Sequence, residues 1–345
     1  MKLDERKMKL LKAIVDDYID TAAPVASRAL SRRHDFGLSS ATIRNEMSDL
    51  EEMGYLEQRH TSSGRIPSEK AYRLYVDSLM RLPKLSAREI AAMRGYFRER
   101  MDEIEDVVHQ TAKALSGLSD YTAMVLAPQY RKITVRHVQL VPVGVGRALL
   151  VVVTDVGVVR DALLHVPEDF GLSELEGISH RLNEWFSNHP ASEIQDVLDS
   201  HVQDEMSRYR STFEKIMETI DLSLRPSEQK DVVLDGASNM FNYPEYKNPE
   251  KAKSFLMALE HKEILYKLLS DATKMEVCIS IGAENPLDEI KDCSIVTATY
   301  RVGSTTYGSI GLIGPTRMNY ARAVAVLNHV GKSLSEVLKG INQGE

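Results

Sequence analysis

Residues 24–67 read PVASRALSRRHDFGLSSATIRNEMSDLEEMGYLEQRHTSSGRIP, and this stretch decides the fold of the N-terminal part of the chain. It predicts a short helix, a tight turn at Phe36-Gly37 and a second helix that opens at Ser39-Ser40. A small basic hairpin is expected between residues 55 and 66. Helix, turn, helix and hairpin in this order indicate a winged helix-turn-helix, which is a DNA-binding fold.

The second of these helices has one apolar face and one polar face. At 100° per residue Ile43, Met47 and Leu50 share a side, so we expect that side to pack inward. Ser39 is suited to cap the free amides of the first turn. Arginine matches the acceptor pair of guanine, and asparagine matches adenine. An ordinary amphipathic surface helix is the alternative, and the neighbouring elements favour the DNA-reading helix. The outward residues are Ala41, Thr42, Arg44, Asn45 and Ser48.

Two upstream helices are expected to support the reading helix. The first is predicted to end near residues 20–21, and Pro24 is expected to open the second. The apolar stripe of the first helix consists of Leu10, Leu11, Ile14, Val15 and Tyr18. The inward residues of the second would be Val25, Ala26, Ala29 and Leu30.

Cationic and polar side chains surround the predicted reading helix. Arg28, Arg32 and Arg33 should stay outside the supporting helix, where phosphates can reach them. Arg59 and Arg65 would flank the tip of the hairpin and brace the DNA backbone or a minor groove. The complete predicted DNA-binding set is Arg28, Arg32, Arg33, Ser39, Ser40, Thr42, Arg44, Asn45, Ser48, Arg59, His60, Ser63 and Arg65.

The charge distribution limits how strongly one copy can bind DNA. Residues 1–81 hold 14 Lys and Arg against 13 Asp and Glu, while the whole 345-residue chain has a net charge of −7. An acidic bulk repels DNA, so only a local basic face can bind it. We therefore expect affinity to come from joining two copies.

Several other classes of protein are disfavoured by the sequence. No stretch reaches the roughly 18 consecutive apolar residues of a membrane span, so no membrane partner is expected. The first ten residues, MKLDERKMKL, lack the apolar region of a signal peptide, so we expect a cytoplasmic protein. The histidines show no metal-binding spacing, and no nucleophile motif is present. The sequence therefore predicts no enzyme, no metal and no cofactor.

Three smaller motifs have simple structural explanations. Cys278 and Cys293 are the only cysteines, and two free thiols on or beside neighbouring strands are expected. The segment Gly144-Val145-Gly146 lies between predicted strands, so a hairpin turn is favoured over a dinucleotide site. The acidic residues at 288, 289 and 292 are interpreted as hydrated surface rather than a cation site.

The chain beyond the hairpin predicts two further domains. A strand at 122–128 precedes three consecutive strands between 133 and 166, and helices follow as far as 222. Further strands are expected at 276–282, 294–301 and 308–314, with helices at about 86–118, 249–269 and 318–338. The simplest account is a five-stranded α/β domain formed by residues 86–128 and 226–340, which an α+β unit at 129–225 interrupts. With the DNA-binding domain at 1–81, the chain is predicted to be an α+β multidomain protein.

Four motifs resemble the heat-inducible transcription repressor HrcA family. They are HTSSGRIPSEKAYRLYVD at 60–77, SSATIRNEM at 39–47, SIGAEN at 280–285 and IGPTRMNYARAV at 313–324. The resemblance runs along the whole chain. It implies a homodimeric repressor of groE and dnaK operons that binds an inverted-repeat operator. It also implies a winged helix, a GAF-like domain, an inserted dimerisation domain, and activity sustained by the GroE chaperonin.

Two questions stay open at this level. Apolar residues between 201 and 222 follow heptad spacing, which suits packing along a helix of a second copy. Packing against the chain's own sheet is the alternative for this helix. The second question is regulation, because a small molecule bound in the GAF-like domain could control DNA affinity instead of a chaperonin.

Overall fold

The computed structural model describes most of the chain outside the region between 190 and 231. The described residues are 3–58, 64–97, 104–127, 134–154, 159–186, 189, 232–272, 276–286, 288–302 and 305–343. The predicted heptad helix at 201–222 therefore lies outside the described residues. The described elements form a mixed α+β protein with three sheets.

The N-terminal unit contains three helices and a pair of very short strands. These elements are α1 Glu5–Thr21, α2 Ser27–Arg33, α3 Ser40–Glu52, β1 Leu56–Glu57 and β2 Ile66–Pro67. Strand β1 pairs antiparallel with β2. Helix α4 Glu69–Leu74 follows and continues into a short π-helix, Tyr75–Leu79.

The prediction that Pro24 opens the supporting helix is wrong. Helix α2 begins at Ser27, because Val25 takes an extended conformation and pairs with Arg65 through two backbone hydrogen bonds of 2.8 Å. As a result Pro24 and Ala26 are exposed, and Leu30 is the buried residue of this helix. The turn at Gly37 is confirmed, and its φ of 63° suits glycine.

A five-stranded antiparallel sheet forms the largest unit, so the α/β assignment is replaced by α+β. Parallel strands would need crossover connections, whereas here every neighbour pair is antiparallel. The strand order is β7-β3-β10-β9-β8. The strands are β3 Thr122–Leu126, β7 Val232–Asp235, β8 Val277–Ile281, β9 Cys293–Val302 and β10 Thr305–Pro315.

Helices cover both faces of this sheet. One predicted helix at 86–118 is two helices, and the one at 249–269 is also two, since the chain leaves helical geometry at His261. Alternate strand residues face the two layers, as Val125 does on one side and Met124 on the other. The helices are α5 Ala87–Tyr96, α6 Ile104–Ser119, α8 Pro249–Glu260, α9 Lys262–Ala272 and α10 Tyr320–Gln343.

A separate three-stranded sheet with its own core occupies the middle of the chain. Its strands are β4 Val135–Gly144, β5 Arg147–Thr154 and β6 Val159–His165, and α7 Leu172–Phe186 covers one face. The turn at Gly144-Val145-Gly146 joins β4 to β5, as predicted. Strands β3 and β7, which lie on either side of this segment in sequence, pair directly with each other.

Candidate nucleic-acid interface

Helix α3, which is predicted to read the DNA bases, has the cap and the buried face that its sequence predicts. The Ser39 hydroxyl accepts a hydrogen bond from the Thr42 backbone amide at 3.1 Å. Ile43, Met47 and Leu50 are buried, which fixes the rotation of the helix about its axis. The opposite side is therefore presented to solvent.

The predicted base-contacting residues lie together on that side. Arg44 and Asn45 are exposed, as is Ser39 at the N-cap, and the side chains of Thr42 and Ser48 are half-buried. Ser40, in the first turn, is also half-buried. The helix therefore carries one long cation, one amide and several hydroxyl groups on its free face.

Exposed cations also lie on helix α2, which packs against α3. Arg28 and Arg32 are exposed, and within the described part of the chain neither they nor Arg44 forms an ion pair. Arg33 differs, because its guanidinium lies 3.2 Å from the Asp17 carboxylate. Arg28, Arg32 and Arg44 thus supply the charge available to an anionic partner.

Arg65 has an internal role that the sequence did not reveal. Its Nε donates to Glu51 Oε2 at 2.8 Å, and its backbone pairs with Val25. This pairing also explains Gly64, where an added Cβ would lie 2.4 Å from the Val25 carbonyl oxygen. Contact between Arg65 and DNA stays a prediction. The predicted contacts Arg59, His60 and Ser63 lie outside the described residues.

A buried ion pair between α1 and α3 was missed by the sequence analysis. Lys7 Nζ lies 2.7 Å from Glu46 Oε2 and 3.0 Å from Asp49 Oδ2. Arg6 also pairs with Glu46. The Lys7 ammonium donates hydrogen bonds to the Glu46 and Asp49 carboxylates, which raises the pKa of Lys7, so the group stays charged. A usable signal was present, since Lys7 lies three residues before Leu10 and thus on the buried face of α1.

The acidic residues near 290 form ion pairs instead of a cation site. Asp288 lies 2.5 Å from Lys291, and Asp292 lies 2.8 Å from Lys251. Among the described residues no three His, Cys, Asp or Glu side chains are grouped to hold a metal. No helix in the described ranges combines the length and apolar character needed to cross a membrane.

The two cysteines are free, as expected, and differ in environment. Cys293 is buried, and burial raises the pKa of its thiol to about 11, whereas Cys278 is half-buried. Because the thiolate is the reactive form, we expect a thiol reagent at pH 8 to modify Cys278 of the native protein quickly and Cys293 slowly. Cys278→Ser should abolish the fast phase in an absorbance assay. Fast labelling of Cys293 would contradict this expectation.

The five-stranded sheet domain has a narrow gap beside β10 and an open cleft on its surface. Beside β10, Tyr121 stacks on Tyr243 with ring centroids 5.4 Å apart, and the gap that these rings line has no room for a water molecule. An open cleft of about 670 Å³ lies on the surface of α8. Its apolar lining includes Phe241, Leu256 and Met257, all exposed.

Comparisons with known proteins agree along the whole chain. The family model described as HrcA protein C terminal domain matches residues 105–324. The chain is 41% identical to the heat-inducible transcription repressor HrcA of Ruminiclostridium cellulolyticum over 348 residues, with 100% of both chains covered. It is 42% identical to the HrcA of Desulforamulus reducens over 347 residues, again with 100% of both covered.

One solved structure has a similar fold. It is the crystal structure of a hypothetical protein at 2.2 Å resolution, with a TM-score of 0.66 and 22% sequence identity. The match covers 99% of this chain and 100% of that chain. At this level of identity the likeness concerns the fold alone.

Proposed function

The chain belongs to the HrcA family of heat-inducible transcription repressors, and we propose that it represses as a homodimer bound to double-stranded DNA. A winged helix-turn-helix of residues 1–81 would place helix α3 in the major groove. Two copies related by a twofold axis would meet the half-sites of an inverted-repeat operator. A dimer seated over a promoter blocks transcription by occupancy. The family is one of repressors and not of enzymes.

One observation carries this proposal. Arg44 and Asn45 are exposed on a capped helix, and the uncompensated cations Arg28 and Arg32 lie on the adjacent helix. Arginine and asparagine are the side chains that recognise guanine and adenine by two-point contacts. Neighbouring arginines hold phosphates and set the register. These features together support DNA reading by this face.

Selection of bound fragments from random duplex DNA tests the proposal directly. We expect the purified full-length protein to enrich an inverted repeat, because a twofold dimer presents two equal reading helices. Enrichment of a single unrepeated element would contradict the dimeric arrangement. Indifference to every duplex would contradict operator reading altogether.

Base readers and phosphate contacts should differ in their sequence dependence. Arg44→Ala or Asn45→Ala should cost about 1–3 kcal/mol on the operator and relax the choice at particular base pairs. Arg32→Ala should instead weaken binding on all sequences and reduce the slope of log affinity against log salt by about one. Fluorescence anisotropy with operator and scrambled duplexes measures both. Equal loss on both duplexes for Arg44→Ala would remove it from the base readers.

The dimer contact is assigned to an inserted domain at 129–225. The face of its three-stranded sheet that points away from α7 carries Val141, Leu149 and Leu163 in one cross-strand row. Val141 and Leu163 are 40% and 54% exposed. Large apolar residues grouped on one sheet face favour burial against a partner, and a second copy would supply an identical face. The GAF-like domain of residues 86–128 and 226–340 would then connect this contact to the reading helices.

Relief on heat stress is assigned to the GroE chaperonin, with groE and dnaK operons as the targets. Both assignments rest on the family resemblance. In this mechanism the chaperonin maintains the active repressor, and unfolded clients compete for the chaperonin after a temperature rise. Operator binding should then recover after heating only when the chaperonin and ATP are added. Recovery with a metabolite alone would instead support a ligand in the GAF-like domain.

A further inference from the structure

The motifs at 60–77 and 280–285, which both resemble the HrcA family, contact each other directly although they are distant in sequence. Helix α4 presents Glu69 and Arg73, which lie on one face because they are four residues apart. Both oxygens of the Glu69 carboxylate accept from the Ala283 amide at 3.2 Å. Arg73 Nε donates to Glu284 Oε1 at 2.8 Å, and Nη2 donates to the Ile279 carbonyl at 2.8 Å. The N-terminal unit is thus docked on the end of β8.

The turn after β8 is shaped to receive the Glu69 side chain. Gly282 has a φ of 54°, and an added Cβ would lie 1.9 Å from Glu69 Oε1. The Asn285 amide donates to the carbonyls of Gly282 and Cys293 at 3.0 and 2.8 Å and is buried. The positive φ at position 282 favours glycine, and the hydrogen bonds of Asn285 hold the turn in place. Residues 280–285 therefore form the socket that receives the Glu69 side chain.

Helix α4 is attached just as firmly to the reading unit. The Ser68 hydroxyl donates to the Gly54 carbonyl at 2.7 Å, immediately after α3. The Tyr75 hydroxyl donates to Asp16 on α1, also at 2.7 Å. A displacement of the socket would thus be transmitted to α3.

A second contact holds the same two units at a different point. Arg317, in the motif at 313–324, donates through Nη1 to the Ile19 carbonyl at 2.8 Å. Its Nε lies 2.5 Å from Glu245 Oε1. Arg317 is buried, and its side chain contacts the C-terminal turn of α1, where the helix dipole favours a cation. Two separated contacts restrict rotation in a way that one contact would not.

We propose that these contacts form a joint that sets the angle of the reading helix on the sheet domain, and hence the operator half-site spacing. Arg73, Glu284 and Arg317 are its positioning residues, and none of them is needed to touch DNA. The inference rests on the proposed dimeric operator binding. A twofold dimer can engage both half-sites at once only when its two reading helices are held at the matching separation.

Reversal of the Arg73–Glu284 pair tests the joint, because both side chains are partly exposed, at 33% and 41%. Arg73→Glu in the full-length protein should lower affinity for the preferred operator about fivefold to a hundredfold. It should also flatten the preference among operators whose half-sites differ in spacing, and leave binding to a single half-site unchanged. Addition of Glu284→Arg should restore the preference in part, because the ion pair is re-formed while the hydrogen bond to the Ile279 carbonyl is not. Lys251→Glu, which breaks an ion pair of the same domain away from the joint, is the matched control.

An unchanged spacing preference in Arg73→Glu would overturn the joint. A second measurement needs no DNA. Hydrogen exchange at the Ala283 amide should accelerate in Glu69→Ala and stay unchanged in Lys251→Glu, and equal protection in both variants would also overturn it. If the wild-type protein binds no inverted repeat while Ala283 exchange behaves as expected, the contact between the two units stands, and its proposed role in half-site spacing fails together with operator reading.

Discussion

Lys7→Met is expected to destabilise the N-terminal unit by about 2–4 kcal/mol. Lys7 is buried and is the shared partner of Glu46 and Asp49. Its removal leaves the buried Glu46 carboxylate with Arg6 as its one ion-pair partner among the described residues, and the Arg6 side chain is 54% exposed. Loss of one partner from a buried pair typically costs about 3–5 kcal/mol, and the remaining arginine reduces that figure.

Urea unfolding followed by circular dichroism measures this effect, and hydrogen exchange in α1 and α3 assigns it to the N-terminal unit. Lys12→Met is the matched control, because Lys12 pairs with Asp16 on the same helix while both side chains are more than a third exposed. The control should cost no more than about 0.5 kcal/mol. Equal effects of the two substitutions would contradict the importance of the buried pair.

The pH of the comparison follows from the sign of the pKa shift. The partners raise the pKa of Lys7 above its ordinary value of 10.5. The contribution of the lysine is therefore fully present below that ordinary value and is lost only as the pH rises through the raised pKa. Measurements at pH 7 report the whole effect. A Lys7→Met/Glu46→Leu double variant should recover stability, because no buried charge is then left without its partner.

Local pattern was sufficient to predict the helices that carry the site. The spacing of Ile43, Met47 and Leu50 gave the buried face of α3, and Ser39 gave its beginning. These features depend on residues within one or two turns, so periodicity and capping rules apply to them. The predicted exposure of Arg44 and Asn45 followed from the same geometry.

Partners that are distant in sequence could not be predicted in this way. Helix α2 begins at Ser27 and not at Pro24 as predicted, because Val25 pairs with Arg65, 40 residues later in the chain. The side chain of Glu69 meets a backbone amide 214 residues away, and no periodicity encodes such a contact. The antiparallel order of the sheet likewise depends on which strands meet in space. The motifs at 60–77 and 280–285 indicated the family, but only the structure connects them.

Leu163→Arg is expected to convert the proposed dimer into a monomer. Leu163 is 54% exposed and stands opposite Leu149 on the face of the three-stranded sheet that points away from α7. In the next row on this face Val151 is paired with Gln139 on one side and Asp161 on the other, so both ends of that row are polar. A twofold contact would bring two introduced guanidinium groups into the same apolar region, where unpaired charge is strongly unfavourable. Light scattering of the full-length variant should give the mass of one chain.

Operator affinity should fall with the mass, by about 10²–10⁴, while affinity for one half-site stays unchanged, because linkage of two modules supplies the difference. Phe241→Arg is the matched control, since Phe241 is 61% exposed and lies on the α8 cleft of the other domain. If Phe241→Arg dissociates the protein and Leu163→Arg does not, the dimer contact lies at the cleft. A monomeric Leu163→Arg variant that keeps full operator affinity would separate dimer formation from DNA reading and remove the basis for an inverted repeat.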